Sequence, residues 1–229
     1  MKVIRTHNLS KIYNHTVVPV NALVNVNLEV DEGEFTAIVG PSGSGKTTLL
    51  NMLGGLDKPS GGEIFIDNTE ITAMKESKLI DFRLHNIGFV FQSYNLIPVL
   101  TAIENISFIM LLQKYPKDKM DKRAKELLEQ VGLTDKADVR PQKLSGGQQQ
   151  RIAVARALAS NPRFVLADEP TANLDTQSAF NLLDIMLRLN KEENITLLFS
   201  THDQRVIERA RRVITLVDGV IEKDETFNR

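Results

Sequence analysis

Apolar residues recur along this chain with two periods, and the change from one to the other marks where strands give way to helices. Val24, Val26, Leu28 and Val30 alternate with polar residues, the period-two pattern of a half-buried strand. Phe35 to Val39 is a short, nearly continuous apolar run ending at Gly40, which predicts a strand buried on both faces. Leu49, Leu50, Met52 and Leu53 then predict a helix closed by Gly54-Gly55. Phe164 to Ala167, Thr196 to Phe199 and Val213 to Val217 are further buried-strand candidates, and Asp218-Gly219 before Val220-Ile221 is a hairpin signal. From about residue 100 to about residue 160 the texture is helical. Ala124, Leu127, Leu128 and Val131 fall at i, i+3, i+4 and i+7 on one helical face. Ile152, Ala155 and Ala159 continue the pattern until Asn161-Pro162 ends it.

Strands alternating with helices at both ends, with a helical middle, predict an α/β fold. A mostly parallel sheet would carry a helical insertion and follow a β-rich N-terminal layer. At 229 residues the chain suits one large domain with an insertion, since a domain typically takes about 150. Its 42% hydrophobic and 25% charged residues argue against disorder. The 28 basic and 29 acidic residues nearly cancel, so net charge gives no reason to expect nucleic acid as a partner. There is no cysteine, which excludes disulfides, thiolate zinc sites and cysteine nucleophiles. The longest apolar run, residues 106–112 around Ser107, is far short of the roughly 18 residues of a membrane span.

Candidate chemistry begins at Gly40-Pro41-Ser42-Gly43-Ser44-Gly45-Lys46-Thr47, which fits G-x-x-x-x-G-K-[ST] between a predicted strand and a predicted helix. Its glycines let successive backbone N–H groups turn inward as an anion-binding nest, and the helix N-terminus adds partial positive charge. Lys46 would reach the β and γ phosphates of a nucleotide, the Thr47 hydroxyl would ligate Mg²⁺, and Thr48 completes the phosphate contacts. A flexible Gly/Ser turn would share this composition but would not require the flanking strand and helix. Further along, Phe164 to Ala167 ends in Asp168-Glu169, which delivers two carboxylates to the sheet edge where α/β folds bind ligands. Asp168 would hold Mg²⁺, and Glu169 could orient and deprotonate an attacking water.

Leu144-Ser145-Gly146-Gly147-Gln148 is the decisive stretch. With the phosphate loop upstream and Asp168-Glu169 downstream, the chain resembles an ATP-binding-cassette (ABC) ATPase over nearly its whole length. The resemblance implies a P-loop NTPase core with an antiparallel β layer at residues 1–92 and 161–229, and a helical signature subdomain at residues 93–160. It also assigns roles. Tyr13 would stack on adenine, and Gln92 would sense the γ phosphate through Mg²⁺ and water. Ser145, Gly146, Gly147 and Gln148 form the family signature. Asp175, within Asn173-Leu174-Asp175, lies in the dimer-contacting loop, and His202 is the switch histidine. Catalysis would thus fall to Glu169, His202, Lys46 and Gln92, with ATP and Mg²⁺ bound. His7, His15 and His85 match nothing in the family and read as surface or satisfied core residues. The basic run from Lys114 to Lys125 reads as a solvated helix face.

In this family two cassettes associate head to tail, so each ATP would lie between one chain's phosphate loop and the other's signature. Residues 166–175, together with residues 91–98, resemble the branch of lipoprotein-release, macrolide-efflux (MacB-like) and cell-division (FtsE-like) ATPases. Ala172 stands where many members have glycine. The branch implies an integral-membrane permease docking near residues 94–100 through Leu96, Ile97 and Leu100, and a peripheral location on the cytoplasmic face of the inner membrane. Soluble ABC ATPases of DNA repair or translation are the alternative. They carry long coiled coils or two cassettes, whereas this chain has no heptad array and one copy of each motif. A nucleotide kinase would share the phosphate loop but lack residues 144–148.

Overall fold

The computed structural model describes residues 1–14 and 18–227. In chain order its elements are β1 (Lys2–Tyr13), β2 (Val20–Asp31), β3 (Phe35–Val39), α1 (Lys46–Leu53), β4 (Gly61–Ile66), β5 (Thr69–Glu70), α2 (Glu76–Asn86) and β6 (Ile87–Val90). The helices α3 (Ala102–Leu112), α4 (Lys117–Gln130) and α5 (Gly146–Ala159) follow. The chain then runs through β7 (Phe164–Asp168), α6 (Thr176–Glu193), β8 (Thr196–Ser200), α7 (Gln204–Ile207), β9 (Arg212–Val217) and β10 (Val220–Thr226).

Two sheets result. One is antiparallel, in the order β2-β1-β4-β5, and it is the predicted β-rich layer. The other, in the order β10-β9-β3-β8-β7-β6, is parallel throughout except for the β9–β10 hairpin. Every residue of β3 and β8 is buried, which explains their unbroken apolar runs. The hairpin turns through Asp218 and Gly219, both at positive φ, the requirement of a type I′ turn.

Two hydrophobic clusters divide the interior. Leu28, Ile38, Leu49, Leu53 and Ile64 belong to the one that joins the antiparallel layer and α1 to the large sheet. The other sits against the opposite side and takes in Ile106, Leu127, Ile152, Leu182 and Phe199. The helical stretch therefore shares its core with the sheet. Residues Ala124, Leu127 and Leu128 turn inward from α4 while Lys117, Lys119, Lys122 and Lys125 face solvent, as the amphipathic pattern predicts.

Candidate functional site

Parallel order brings the C-terminal ends of β3, β6, β7 and β8 to one edge, and the predicted chemistry gathers there. The phosphate loop leaves β3 and feeds α1, while β7 ends in Asp168 beside Ser200 at the end of β8. Residues Gly40, Pro41, Ser42, Gly43, Gly45, Lys46, Thr47 and Thr48 line a single cleft of about 590 Å³ with Tyr13, Glu169 and His202. Val20 and Ala22 of β2 complete its wall, two contributors the sequence pattern did not single out. A larger hollow, about 780 Å³, lies between Lys2, Glu34, Arg212 and Asp224. Its charges already pair with one another, Arg212 with Glu34 at 2.9 Å and with Asp224 at 2.6 Å, so volume alone does not mark the site.

Inside the loop, Gly45 has φ +102°, and a Cβ there would sit 2.3 Å from the Ala22 carbonyl oxygen. Only glycine fits. Lys46 is buried and donates from Nζ to the carbonyls of Gly40 and Pro41, both at 2.9 Å. Ser44 is 2% exposed, and its Oγ has no partner among the described residues. A buried lysine, an unpartnered hydroxyl and a turn of backbone N–H groups fit a nucleotide's phosphates.

The two carboxylates are held differently. Asp168 Oδ1 accepts from Thr47 Oγ1 at 3.0 Å and from Ser200 Oγ at 2.6 Å. A hydroxyl beside a carboxylate is the oxygen donor set that suits Mg²⁺, which keeps few protein ligands and shares phosphate oxygens. Glu169 follows in the left-handed region at φ +46°, uncommon for a residue with a side chain. Its backbone N–H donates to Ser200 Oγ at 2.8 Å, which holds the turn. Its carboxylate accepts from His202 Nδ1, 2.9 Å from Oε2 and 3.0 Å from Oε1. His202 is otherwise exposed.

Ser200 thus contacts both carboxylate residues from a fully buried position, and nothing in its local sequence marked it. Ser200→Ala is expected to leave Asp168 and the Glu169 N–H each short of a partner. The cost is about 1–3 kcal/mol of stability, readable as a lowered urea midpoint, with reduced turnover of whatever reaction the two carboxylates serve. Unchanged turnover would mean that Ser200 does not position the pair.

Ser44 and Asp168 sit just behind the cleft's lining, and Gln92, the signature residues Ser145 to Gln148 and Asp175 do not line it either. Gln92 is exposed two residues beyond β6, at the same sheet edge as Asp168 because Val90 pairs with Ala167. Its carbonyl accepts from Asn173 Nδ2 at 3.1 Å. Ser145 caps α5, accepting from the Gln148 N–H at 3.2 Å while its own N–H donates to Gln148 Oε1 at 2.9 Å, a capping box. A Cβ at Gly146 would lie 2.7 Å from Tyr94 Oη, so a larger residue there would have to displace the end of that side chain. Ser145 is exposed, so the N-terminus of α5 faces outward. Gly147 packs at the same end, where a Cβ would meet Ser178 at 3.0 Å. Asp175 caps α6, and hydrogen bonds from the Ser178 side chain and backbone hold its carboxyl below the usual range.

Of the unassigned histidines, His7 and His85 are exposed, His7 edge-on to Phe65 and His85 against the Asp81 carbonyl. His15 lies outside the described residues. Among the described residues no helix is long and apolar enough to cross a membrane.

The family profile described as ABC transporter matches residues 23–172. An uncharacterized ABC transporter ATP-binding protein of Thermotoga maritima is 48% identical, over 96% of this chain and 94% of the relative. A lipoprotein-releasing system ATP-binding protein, LolD 1 of Chlorobium chlorochromatii, is 45% identical over 94% of this chain and 86% of the relative. Among solved structures, the ATP-binding cassette MJ0796 of Methanocaldococcus jannaschii, a dimer bound to ADP and Pi in a post-hydrolysis state, superposes with TM-score 0.90. It is 43% identical, with 99% of each chain covered.

Proposed function

The chain belongs to the ABC transporter family of ATP-binding proteins and hydrolyses ATP, and from that premise we propose that it is a peripheral subunit powering export or mechanical work through a MacB/FtsX-type permease. Its likeness to LolD proteins supports this branch over the soluble DNA-repair and translation types. The observation that carries the mechanism is the split in the site. Phosphate-loop, carboxylate and histidine groups share one cleft, whereas the capped N-terminus of α5 faces solvent elsewhere. A head-to-tail homodimer would bring the partner's α5 N-terminus over the ATP, and a helix N-terminus favours the γ phosphate's charge. The dimeric MJ0796 structures support such an assembly.

Within one site, Lys46 and the loop N–H groups would bind the phosphates, with Tyr13 against the adenine. Thr47, Asp168 and Gln92 would hold Mg²⁺, which when bound neutralises charge on the β and γ oxygens. Glu169 accepts the proton of the attacking water as its oxygen bonds to the γ phosphorus and the bridging bond to ADP breaks. His202, donating to the Glu169 carboxylate, orients that base.

Permease docking near residues 94–100 would fall on a loop that is partly packed and partly exposed. Leu96 is partly buried and packs against the hydrophobic core, while Val99 is 69% exposed. The loop itself is braced from below. The fully buried Asn105 donates from Nδ2 to the carbonyls of Ile97, Leu100 and Thr101 and accepts from the Ile97 N–H. Arg156 Nη2 donates to the Tyr94 carbonyl at 2.9 Å. Val99→Asp is expected to keep the melting temperature and detergent-free ATPase activity but lose recruitment to permease-containing membranes. Leu96→Ala should instead cost roughly 1–3 kcal/mol in stability. Membrane binding unaffected by Val99→Asp would remove this loop from the interface.

A further inference from the structure

Tyr13, the aromatic residue at the mouth of the cleft, is held on two sides by groups that play no part in the chemistry. Lys11 and Tyr13 stand two residues apart on β1, and the strand's register shifts between Lys11 and Ile12. The Lys11 ammonium lies 4.8 Å from the Tyr13 ring centroid. Lys11 is 9% exposed, and its Nζ also donates to Asp57 Oδ1 and to the Lys58 carbonyl, each at 2.7 Å. The Tyr13 hydroxyl donates to the other oxygen of the same carboxylate, Asp57 Oδ2, at 3.0 Å. The Lys58 N–H closes the set on Asp57 Oδ1 at 2.7 Å. Burial works against the Asp57 charge, but hydrogen bonds from Lys11, Tyr13 and Lys58 outweigh it and hold the carboxyl below its ordinary range.

Such an arrangement fixes a ring rather than merely burying it. A cation beneath one face occupies that face and is attracted by the ring quadrupole. A hydroxyl anchored at the ring's tip fixes where that tip lies, and the ammonium on one face holds the ring's tilt and leaves the second face free. The anchor is also tied to the phosphate seat. Asp57 follows α1 by four residues, and the Leu56 N–H donates to the Asn51 carbonyl at 2.9 Å. One short rigid segment thus begins at Lys46 and ends at the group that aims Tyr13. Ser60 strengthens the link, accepting from the Ile12 N–H through Oγ at 2.9 Å.

We propose that Lys11 and Asp57 are positioning residues for nucleotide binding, setting the Tyr13 ring so that its free face meets the base at a fixed distance from the phosphate loop. The inference rests on the reading that Tyr13 carries the adenine. It makes the base contribution to affinity depend on Lys11 and Asp57, while the phosphate contribution does not.

The test separates base from phosphate. The chain has three tyrosines and no tryptophan, so tyrosine emission can be followed directly. Dissociation constants for ATP and for inorganic tripolyphosphate, the latter by competition, would be measured on Asp57→Asn, Lys11→Met and Tyr13→Ala in the full chain. Asp57→Asn and Lys11→Met are each expected to weaken ATP about 3- to 10-fold and diminish its quenching of tyrosine emission, leaving tripolyphosphate unchanged. In the Tyr13→Phe background, Asp57→Asn should add less than it does alone, because the two act through one hydrogen bond. If Tyr13→Ala loses ATP selectively while the two positioning variants do not, or weaken both ligands equally, the inference is overturned and the stacking reading survives. If Tyr13→Ala itself leaves the ratio of the two constants unchanged, the stacking reading falls first and takes the inference with it.

Discussion

Glu169→Gln is expected to bind ATP normally, lose turnover by about 10²–10⁴-fold, and accumulate as an ATP-bound dimer on size-exclusion chromatography. Glutamine keeps the shape of the side chain and can still meet His202, but it cannot take up the proton of water. The left-handed backbone at φ +46° and the N–H bond to Ser200 lie outside the altered group, so the turn should persist. Binding should survive for the same reason, because the phosphate contacts belong to the loop before α1. His202→Ala offers a graded comparison, removing the hydrogen bond to the Glu169 carboxylate without removing the base. It should cost turnover less than Glu169→Gln does. Near-normal hydrolysis in Glu169→Gln would exclude this carboxylate as the base.

Lys46→Ala and Ser145→Arg should each be almost inactive as homodimers, for opposite reasons. The first removes the buried cation from the phosphate seat. The second places a large side chain at the exposed N-cap of α5, where the partner's ATP would lie. A mixture of the two chains contains heterodimers with one intact composite site and one doubly defective site. Mixing should therefore restore activity that neither chain has alone, measured as phosphate release at equal total protein. A crosslink from Ser145 to nucleotide within one chain would contradict shared sites directly.

Sequence legibility followed the range of the interactions. Strands β3, β7 and β8 were readable because strands buried on both faces must be apolar throughout, and the phosphate loop because its φ values admit few residues besides glycine. The signature stretch at residues 144–148 was readable through family resemblance, whereas the capping box by which Ser145 and Gln148 start the helix shows only in the structure. What stayed hidden depends on pairs distant along the chain. Ser200 meets Asp168 across 32 residues, and Asp57 meets Tyr13 across 44. Neither separation leaves a local period. The partial packing of Leu96 was hidden for the same reason, since an apolar residue in a loop reads alike whether it faces solvent or packs on the core. Exposure of Val99 is a property of the neighbouring Asn105 clamp, not of the residues around it in sequence.

The Lys46 ammonium is satisfied by two carbonyl oxygens rather than by a carboxylate. Carbonyls offer dipoles, so the buried cation is stabilised without its charge being cancelled. An incoming polyphosphate then trades dipoles for full negative charges and has no competing anion to expel. Selectivity at this position accordingly scales with ligand charge, which favours triphosphate over diphosphate and both over an unphosphorylated nucleoside. Added salt should erode that ranking in the same order, because screening weakens the most highly charged ligand most.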